Sequence, residues 1–374
     1  MGADCSCLRD DNVNKEEMDM RSKAKPTVNR QEAANPEDDI TNGNASAIIE
    51  VKKEPEESLA IHSAARGYLV RKEIAATKNT KGFDPTSRYT LFTDPLSSKI
   101  AKAVKKAEKE WGKFEPQAPE DDGEKITQHP AFELEDGSIY EGEWNEQGER
   151  HGLGTEISPD GAKYIGYFKN NEKSGNGRLI QADGEVYQGE FKKGRPNGVG
   201  TMQKTDGSRY EGSFKNGAYH GKGKEEYDDG VSYKGEYKNG QKDGKGIINW
   251  PNGSKYEGQF KAGDIEGYGV FVWAEGKKYT GNWVNNKMHG QGAFEWPDGR
   301  KYEGEYQNDL KHGHGVLSWP DGKTYDGEFK EGKQDGEGVL TFENKNTKKT
   351  EIRRGIWKKG NRVEWIKDKK KSKE

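Results

Sequence analysis

Residues 256–278 read YEGQFKAGDIEGYGVFVWAEGKK, and this 23-residue pattern recurs along most of the chain. It opens with an aromatic residue, a glycine and a second aromatic residue at alternate positions, namely Tyr256, Gly258 and Phe260. A period of two predicts a strand with one buried face. After a turn at Gly263, a second run with the same period follows. The unit is therefore predicted to be a β-hairpin.

Nine tyrosines set the phase of the repeat, spaced 23 residues apart except for one interval of 24. They are Tyr140, Tyr164, Tyr187, Tyr210, Tyr233, Tyr256, Tyr279, Tyr302 and Tyr325. Units close with turns such as Trp250-Pro251-Asn252-Gly253, where proline fixes one φ and glycine takes a positive φ. Hairpins stacked in this way build an antiparallel sheet in which each repeat contacts only its neighbours. Because glycines recur at fixed positions of every repeat, we also predict that an aromatic side chain lies flat on the backbone there.

The order Tyr-x-Gly-x-aromatic, Gly-x-Gly and aromatic resembles the MORN (membrane occupation and recognition nexus) repeat over about 140–342. The resemblance implies nine repeats in a domain over 130–342, which opens with a half-repeat at 130–139. A degenerate repeat and a basic tail follow over 343–374, with Arg353 in the place of tyrosine. The predicted fold class is mostly β. It is an elongated single-layer antiparallel sheet of stacked hairpins, with short N-terminal helices and a disordered N-terminal tail.

The composition argues against a compact enzyme. Of 374 residues, 29% are hydrophobic and 34% are charged, which leaves too little apolar bulk for a conventional core. The formal net charge of −3 says little about partners because the charges are segregated along the chain. The sequence has no phosphate-binding loop, no nucleophile elbow and no cysteine or histidine cluster with metal spacing. We therefore expect a protein without enzymatic activity, cofactor or nucleic-acid partner.

Polar residues inside the repeats are assigned to the sheet. His220, His289 and His312 share one repeat position, and neighbours one repeat apart would be roughly 10 Å from each other, too far to share a metal. Carboxylates between the aromatic residues are expected to form an outward, solvated row. This row contains Glu141, Glu143, Glu303, Glu305 and Glu328.

Residues 1–7, MGADCSC, indicate lipid attachment. Gly2 with Ser6 matches the M-G-x-x-x-[ST] pattern of N-myristoylation. One myristoyl chain binds membranes weakly and reversibly, so palmitate on Cys5 or Cys7 would supply a second anchor. The alternative is an ordinary disordered tail with a chance glycine. Because these two cysteines cannot build a disulfide framework and no secretory signal follows, the predicted compartment is cytosolic.

A helix is predicted over 57–77, after a polar, acidic linker over 8–56 with the composition of a disordered segment. Residues 61–71 resemble an IQ motif, the calmodulin-binding helix, with His62 in place of the usual glutamine. The resemblance implies binding of calmodulin or a calmodulin-like EF-hand protein. The residues implied are Ile61, His62, Arg66, Gly67 and Arg71. The alternative is a surface helix packed on the end of the sheet.

A basic amphipathic helix is predicted over 98–114, within a linker over 78–129. Its apolar stripe contains Ile100, Val104, Ala107, Trp111 and Phe114. Such a helix binds a membrane surface or a partner, or else covers the repeat sheet, and both interpretations remain open. The lysine-rich tail also has two interpretations: it contacts anionic lipid, or it is simply solvated.

These features predict a non-enzymatic, lipid-anchored scaffold regulated by calmodulin. Its expected place is the cytoplasmic side of a plasma or ciliary membrane, or an associated ciliary or cytoskeletal structure. The acyl chains would contact the membrane, and an unidentified protein partner would bind the repeat sheet. The alternative is a regulatory or targeting subunit of a phosphoinositide kinase or another enzyme. Whether two copies form a homodimer is left open.

Overall fold

Strands dominate residues 83–367, the part of the chain that this computed structural model describes. Helical structure within that part consists of two 3₁₀ turns, Pro85–Ser87 and Leu96–Ser98, and helix α1 (Lys102–Trp111). The first eleven strands are β1 (Thr90–Leu91), β2 (Ile126–Glu133), β3 (Ile139–Asn145), β4 (Arg150–Ile157), β5 (Lys163–Lys169), β6 (Glu172–Ile180), β7 (Val186–Lys192), β8 (Arg195–Gln203), β9 (Arg209–Lys215), β10 (Ala218–Glu226) and β11 (Ser232–Lys238). The others are β12 (Gln241–Asn249), β13 (Lys255–Lys261), β14 (Asp264–Val272), β15 (Lys278–Val284), β16 (Lys287–Glu295), β17 (Lys301–Gln307), β18 (Leu310–Ser318), β19 (Thr324–Lys330), β20 (Lys333–Glu343), β21 (Thr350–Lys358) and β22 (Asn361–Trp365).

Within each of the two units that contacts define, the strands form an open antiparallel sheet, in which each strand pairs with the next strand along the chain. The predicted fold class, a mostly β sheet of stacked hairpins, is confirmed. Contacts divide the described residues into an N-terminal unit, 83–218, and a C-terminal unit, 219–367. The two units are described separately below.

Two kinds of turn join the strands. Within a repeat the turn has two residues in the left-handed region, for example Asn285 and Asn286 with φ of 48° and 65°, and asparagine adopts this conformation more readily than most residues. Between repeats, the Gly299 amide donates to the Trp296 carbonyl at 2.9 Å. Asp298 Oδ1 accepts from the Arg300 amide at 3.0 Å. The turn predicted from the Trp-Pro-Asn/Asp-Gly sequences is therefore confirmed.

Eight of the phase-setting tyrosines are seen to lie across a pair of glycines, as the glycine spacing predicts. Gly258 and Gly269 are cross-strand partners, and a Cβ on Gly269 would lie 2.3 Å from the hydroxyl oxygen of Tyr256. The tyrosine hydroxyl passes over the glycines and donates to the Gln259 carbonyl at 3.1 Å. Glycine is therefore needed because an aromatic ring occupies the space above the backbone.

Edge-to-face contacts connect the aromatic rings within each unit. In the C-terminal unit the ring centroid of Tyr256 is 5.3 Å from that of Phe260 and 5.6 Å from that of Trp283 in the next repeat. In the N-terminal unit Tyr164 lies 5.0 Å from Phe191 in the same arrangement. Each such pair stabilises by about 0.5–1.5 kcal/mol beyond burial. Stability is therefore built from contacts within a repeat and contacts between neighbours.

The degenerate repeat closes this series of rings. Trp357 of β21 packs on Tyr325 with 4.8 Å between centroids, and Trp365 of β22 packs on Trp357 at 5.9 Å. Arg353, which replaces the tyrosine, lies 5.5 Å from the centroid of Trp365. Trp357 holds the repeat position of Phe329 and makes the usual contact with the preceding tyrosine, so Trp365 takes over the contact that the missing tyrosine would make.

Candidate binding faces of the repeat sheet

The sheet has two faces of different chemistry. One carries the nine phase-setting tyrosines, all of them buried, and is called the tyrosine face. Because side chains alternate along a strand, the residues between these aromatic and glycine positions form the opposite, outer face. The aromatic rings of the tyrosine face pack on one another, whereas the outer face of the strands carries most of the exposed charged side chains.

Polar groups inside the tyrosine face bind one another. In the C-terminal unit Lys242 and Glu225 are 1% and 4% exposed. Lys242 Nζ lies 3.9 Å from a Glu225 carboxylate oxygen and donates to the Tyr227 hydroxyl at 2.8 Å. The Tyr237 hydroxyl donates to Glu225 at 2.9 Å, and burial raises the pKa of Tyr237. This cluster neutralises a buried charge and is inaccessible to a substrate.

Helix α1 covers part of the outer face of the N-terminal unit. Val104 and Ala107 of this helix, together with Ile100 just before it, are buried in one apolar cluster with side chains of the sheet. The sheet residues of this cluster are Ala131, Ile139, Ile157, Ile180 and Val186. The amide of Ala101 also donates to the Gly161 carbonyl at 3.1 Å. Of the two interpretations of this helix, the structure shows packing on the sheet.

The segment 112–125 continues this cover along the same face. Arg178 Nη1 donates to the Gly112 carbonyl at 2.7 Å, and its guanidinium carbon lies 4.7 Å from the ring centroid of Phe114. Farther along, the Gln117 amide donates to Asn176 Oδ1 at 3.2 Å. Arg178 is only 6% exposed, so its charge is enclosed between the sheet and the covering segment.

An acidic residue fixes the end of the covering segment. Asp122 Oδ2 accepts from Lys169 Nζ at 2.9 Å and lies 3.1 Å from His151 Nε2. The Lys169 hydrogen bond holds the pKa of Asp122 at about 2. The outer face of the N-terminal unit is therefore covered by the chain's own residues from α1 to this contact.

The outer face of the C-terminal unit carries an apolar row instead. Val270, Ala293, Val316 and Val339 occupy the repeat position that Arg178 holds in the N-terminal unit. Cross-strand pairing brings them into one row with Thr280, Glu303 and Asp326, which alternate with them. Together these seven residues are called the outer ridge. The apolar members are half-buried, whereas Glu303 and Asp326 are exposed.

Charge along the outer ridge is unevenly distributed. Lys278, on the strand next to that of Val270, lies 3.6 Å from Glu295. Lys301, on the strand next to that of Val316, lies 4.0 Å from the same glutamate. Near Val316, carboxylates predominate. These carboxylates are Glu303, Glu305, Asp326, Glu328 and Glu337. Among the cations close to them, His314 contacts Asp326 at 2.9 Å and Arg354 is 4.0 Å from Glu337. Lys301 and Lys330 lie two residues from Glu303 and Glu328 on the same face.

Part of the predicted acidic row has a structural role. Glu143 accepts the Leu153 amide, and Glu190, at the same repeat position, accepts the Val199 amide at 3.2 Å. These carboxylates lie at the bulge where the strands lose register. Glu141 and Glu303, two residues earlier in the repeat, make no such amide bond among the contacts of residues 83–367. Part of the row that was predicted to be solvated therefore supports the backbone at the bulges.

The other predicted site residues lie outside the described range. The acylation residues are Gly2, Cys5 and Cys7, and the calmodulin-binding residues are Ile61, His62, Arg66, Gly67 and Arg71. Among residues 83–367, no group of three or more histidine, cysteine, aspartate or glutamate side chains could hold a metal ion. No helix in that same range is long and apolar enough to cross a membrane.

Two features of the outer face were missed by the sequence analysis. The apolar row Ile139, Ile157, Ile180 and Val186 receives α1, and the outer ridge lies in the C-terminal unit. Both are visible when the repeats are compared position by position. The residue before the tyrosine is apolar only at Ile139 and Val186, with Lys163 between them, whereas it is polar in every repeat from Arg209 onward. A change in one column of a repeat signals that its environment changes.

A family model described as the MORN repeat matches nine consecutive segments of the chain. The segments are 140–163, 164–186, 187–209, 210–232, 233–255, 256–278, 279–299, 302–324 and 325–347. Each begins at a phase-setting tyrosine, so the predicted number and phase of the repeats are confirmed. No curated protein matches the chain.

The solved structures that match this chain have little sequence in common with it. The TCP domain of SAS-4 from Drosophila melanogaster is 16% identical, with coverage of 48% of this chain and 90% of its own and a TM-score of 0.26. The TCP10 domain of CPAP from Danio rerio is 12% identical, with coverage of 65% and 100% and a TM-score of 0.26. Similarity this low supports no conclusion about function.

Proposed function

This chain belongs to the MORN-repeat family, and from that premise we propose that it is a scaffold that holds a protein partner at the cytoplasmic face of a membrane. MORN repeats are a scaffold element rather than a catalytic one. The observation that carries the proposal is the division of the sheet into a tyrosine face filled by its own side chains and an outer face. On the C-terminal unit that outer face offers exposed carboxylates beside half-buried apolar side chains.

In this proposal the N-terminal residues attach the chain to a membrane. Myristate on Gly2 gives reversible binding, and palmitate on Cys5 or Cys7 makes it stable. Calmodulin, or a similar EF-hand protein, binds the segment 57–77 and regulates the scaffold. The cytoplasmic side of a plasma or ciliary membrane, or its cytoskeleton, is the proposed location.

The test of the address is membrane fractionation of cells that express the intact chain or its Gly2→Ala form. The Gly2→Ala protein should move to the soluble fraction, and an Ala3→Gly form should stay with the membranes as the matched control. Unchanged partition of Gly2→Ala would remove the lipid anchor from the proposal. A peptide over 56–78 should bind calmodulin, and absence of binding with and without calcium would remove the regulator.

A pull-down from native membranes tests the scaffold itself against the alternative function. Structural proteins together with calmodulin are the expected partners. Stoichiometric recovery of a lipid kinase would instead assign the chain as a regulatory subunit of an enzyme.

A further inference from the structure

The geometry points to the outer ridge as the docking site of a lysine- or arginine-rich amphipathic helix from a partner protein. The inference rests on the proposed scaffold function and identifies the surface and the chemistry of its partner. It starts from the difference between two residues at one repeat position, Arg178 and Val270. The first is enclosed by the chain's own segment, whereas the second belongs to a row beside exposed carboxylates.

The first argument is the periodicity of the outer ridge. Its apolar side chains recur once per hairpin, at Val270, Ala293, Val316 and Val339. Two strands about 4.8 Å apart place successive members roughly 10 Å from each other. Two turns of an α-helix advance about 10.5 Å in seven residues. A helix that crosses the strands and carries an apolar stripe therefore meets one ridge residue per heptad.

The second argument is that this sheet already accepts a helix on its outer face. In the N-terminal unit, α1 places Val104 and Ala107 against the sheet, and Ile100 just before the helix packs in the same cluster. Its lysines Lys102, Lys105, Lys106 and Lys109 stay at the solvent. An amphipathic helix is thus a shape that the outer face of these repeats can bind.

The third argument is the charge around Val316. Its two cross-strand neighbours are Glu303 and Asp326, and Glu305, Glu328 and Glu337 lie in the adjoining row of the same face. His314 contacts Asp326, and Arg354 lies 4.0 Å from Glu337. Lys301 and Lys330 lie two residues from Glu303 and Glu328 on the same face of their strands. The five carboxylates outnumber these four cations. Basic side chains that flank an apolar stripe would pair with these carboxylates as the stripe covers the valines. An acidic helix would be repelled.

The probe is a fluorescent 21-residue helical peptide, with leucine at the first and fourth positions of each heptad and lysine, glutamine or alanine elsewhere. It is titrated with the full chain and should bind with an affinity that falls as salt rises from 50 to 300 mM. Its matched control has glutamate in place of lysine and should not bind. Equal binding of both peptides, or no binding of the lysine peptide, would overturn the inference.

Two pairs of variants test whether the lysine peptide binds at the outer ridge. Glu303→Gln with Asp326→Asn should weaken binding about tenfold, whereas Glu172→Gln with Glu211→Gln removes two exposed carboxylates from the N-terminal unit and should leave it unchanged. Val316→Thr with Val339→Thr keeps side-chain shape and strand propensity and should also weaken binding. Val199→Thr, at a valine that is 64% exposed, is its control. Equal affinity across all four proteins contradicts the docking site.

Other occupants give different results. A second copy would produce a dimer in sedimentation that Val316→Thr with Val339→Thr abolishes, and peptide 57–77 of this chain would bind more tightly than the lysine peptide if it were the natural occupant. Either result overturns the assignment to a partner protein. Failure of the scaffold proposal is separate, because it appears as an empty native pull-down even when the lysine peptide binds the ridge.

Discussion

The N-terminal and C-terminal units share one tyrosine face and differ in their outer faces. Tyr164 and Tyr256 cover paired glycines in the same way and contact the next repeat with the same edge-to-face geometry. On the outer face, one unit is covered by α1 and the segment 112–125, whereas the other presents the outer ridge. The repeat sequence that builds the sheet is thus independent of the side chains that determine what the sheet binds.

The largest expected effect tests the shared part of this comparison. Gly269→Ala and Gly177→Ala should each destabilise the protein by about 3 kcal/mol, because the new Cβ overlaps the ring of Tyr256 or Tyr164 and the ring has no free space. Denaturant unfolding measures the loss. Gly322→Asn is the control, in an open turn with a φ of 81° that asparagine tolerates. A loss in only one unit would show that the tyrosine faces differ.

The next effect should be confined to the N-terminal unit. Val104→Asp places a carboxylate in the apolar cluster under α1, where Val104 is fully buried, and should cost about 2 kcal/mol because the helix detaches. Hydrogen exchange should then rise in α1 and in strands β4–β7. Lys105→Asp, at an exposed position of the same helix, is the control. Faster exchange across the C-terminal unit would contradict the separation of the two outer faces.

A smaller effect is expected when the hydroxyl of a phase-setting tyrosine is removed. Tyr256→Phe removes the hydrogen bond to the Gln259 carbonyl and leaves the ring in place, so the expected loss is about 1 kcal/mol. Tyr164→Phe should lose the same amount, since its hydroxyl bonds the Tyr167 carbonyl at 2.9 Å. Thermal unfolding of both variants checks this equality. If the two variants differ in stability by more than either one loses relative to the unmodified protein, the two hydroxyls are not equivalent.

The smallest effect concerns acid release of the covering segment. Because the pKa of Asp122 is held at about 2, below the usual 3.8, its contacts stabilise the docked segment above about pH 4 and are lost as the pH falls through 2. Pepsin should therefore cleave after Phe114 faster as the pH is lowered, relative to a free 108–125 peptide. Asp122→Asn should be cleaved readily at pH 4. Cleavage independent of both pH and Asp122 would refute the contact.

The sequence predicted the sheet because its signals are local and repeated nine times. The tyrosine phase, the paired glycines and the Trp-Pro-Asn/Asp-Gly turns each depend on a few neighbouring residues, as Tyr256, Gly258 and Gly269 illustrate. The outer face depends on which distant segment lies on it. Phe114 and Arg178 are 64 residues apart, and no local pattern indicates that they stack.

The predicted functional residues divide in a similar way. Helix α1 was predicted from the sequence, but the sequence left open whether it packs on the sheet or binds a partner. The burial of Val104 shows that it packs on the sheet. The acidic row was predicted as uniform, yet Glu143 and Glu190 support bulges whereas Glu303 and Asp326 flank Val316. Sequence motifs at Gly2 and 61–71 remain predictions, because they depend on modification and on a partner rather than on the repeat fold.

Carboxylate labelling of the full chain shows directly whether a basic helix covers the outer ridge. Carbodiimide and an amine are applied with and without the leucine–lysine peptide, and modified residues are quantified by mass spectrometry. The account predicts that Glu303 and Asp326 react readily alone and become protected by the peptide, while the exposed Glu172 and Glu211 of the N-terminal unit react equally in both samples. Protection of Glu172 and Glu211, or unchanged labelling of Glu303 and Asp326 under saturating peptide, would contradict it.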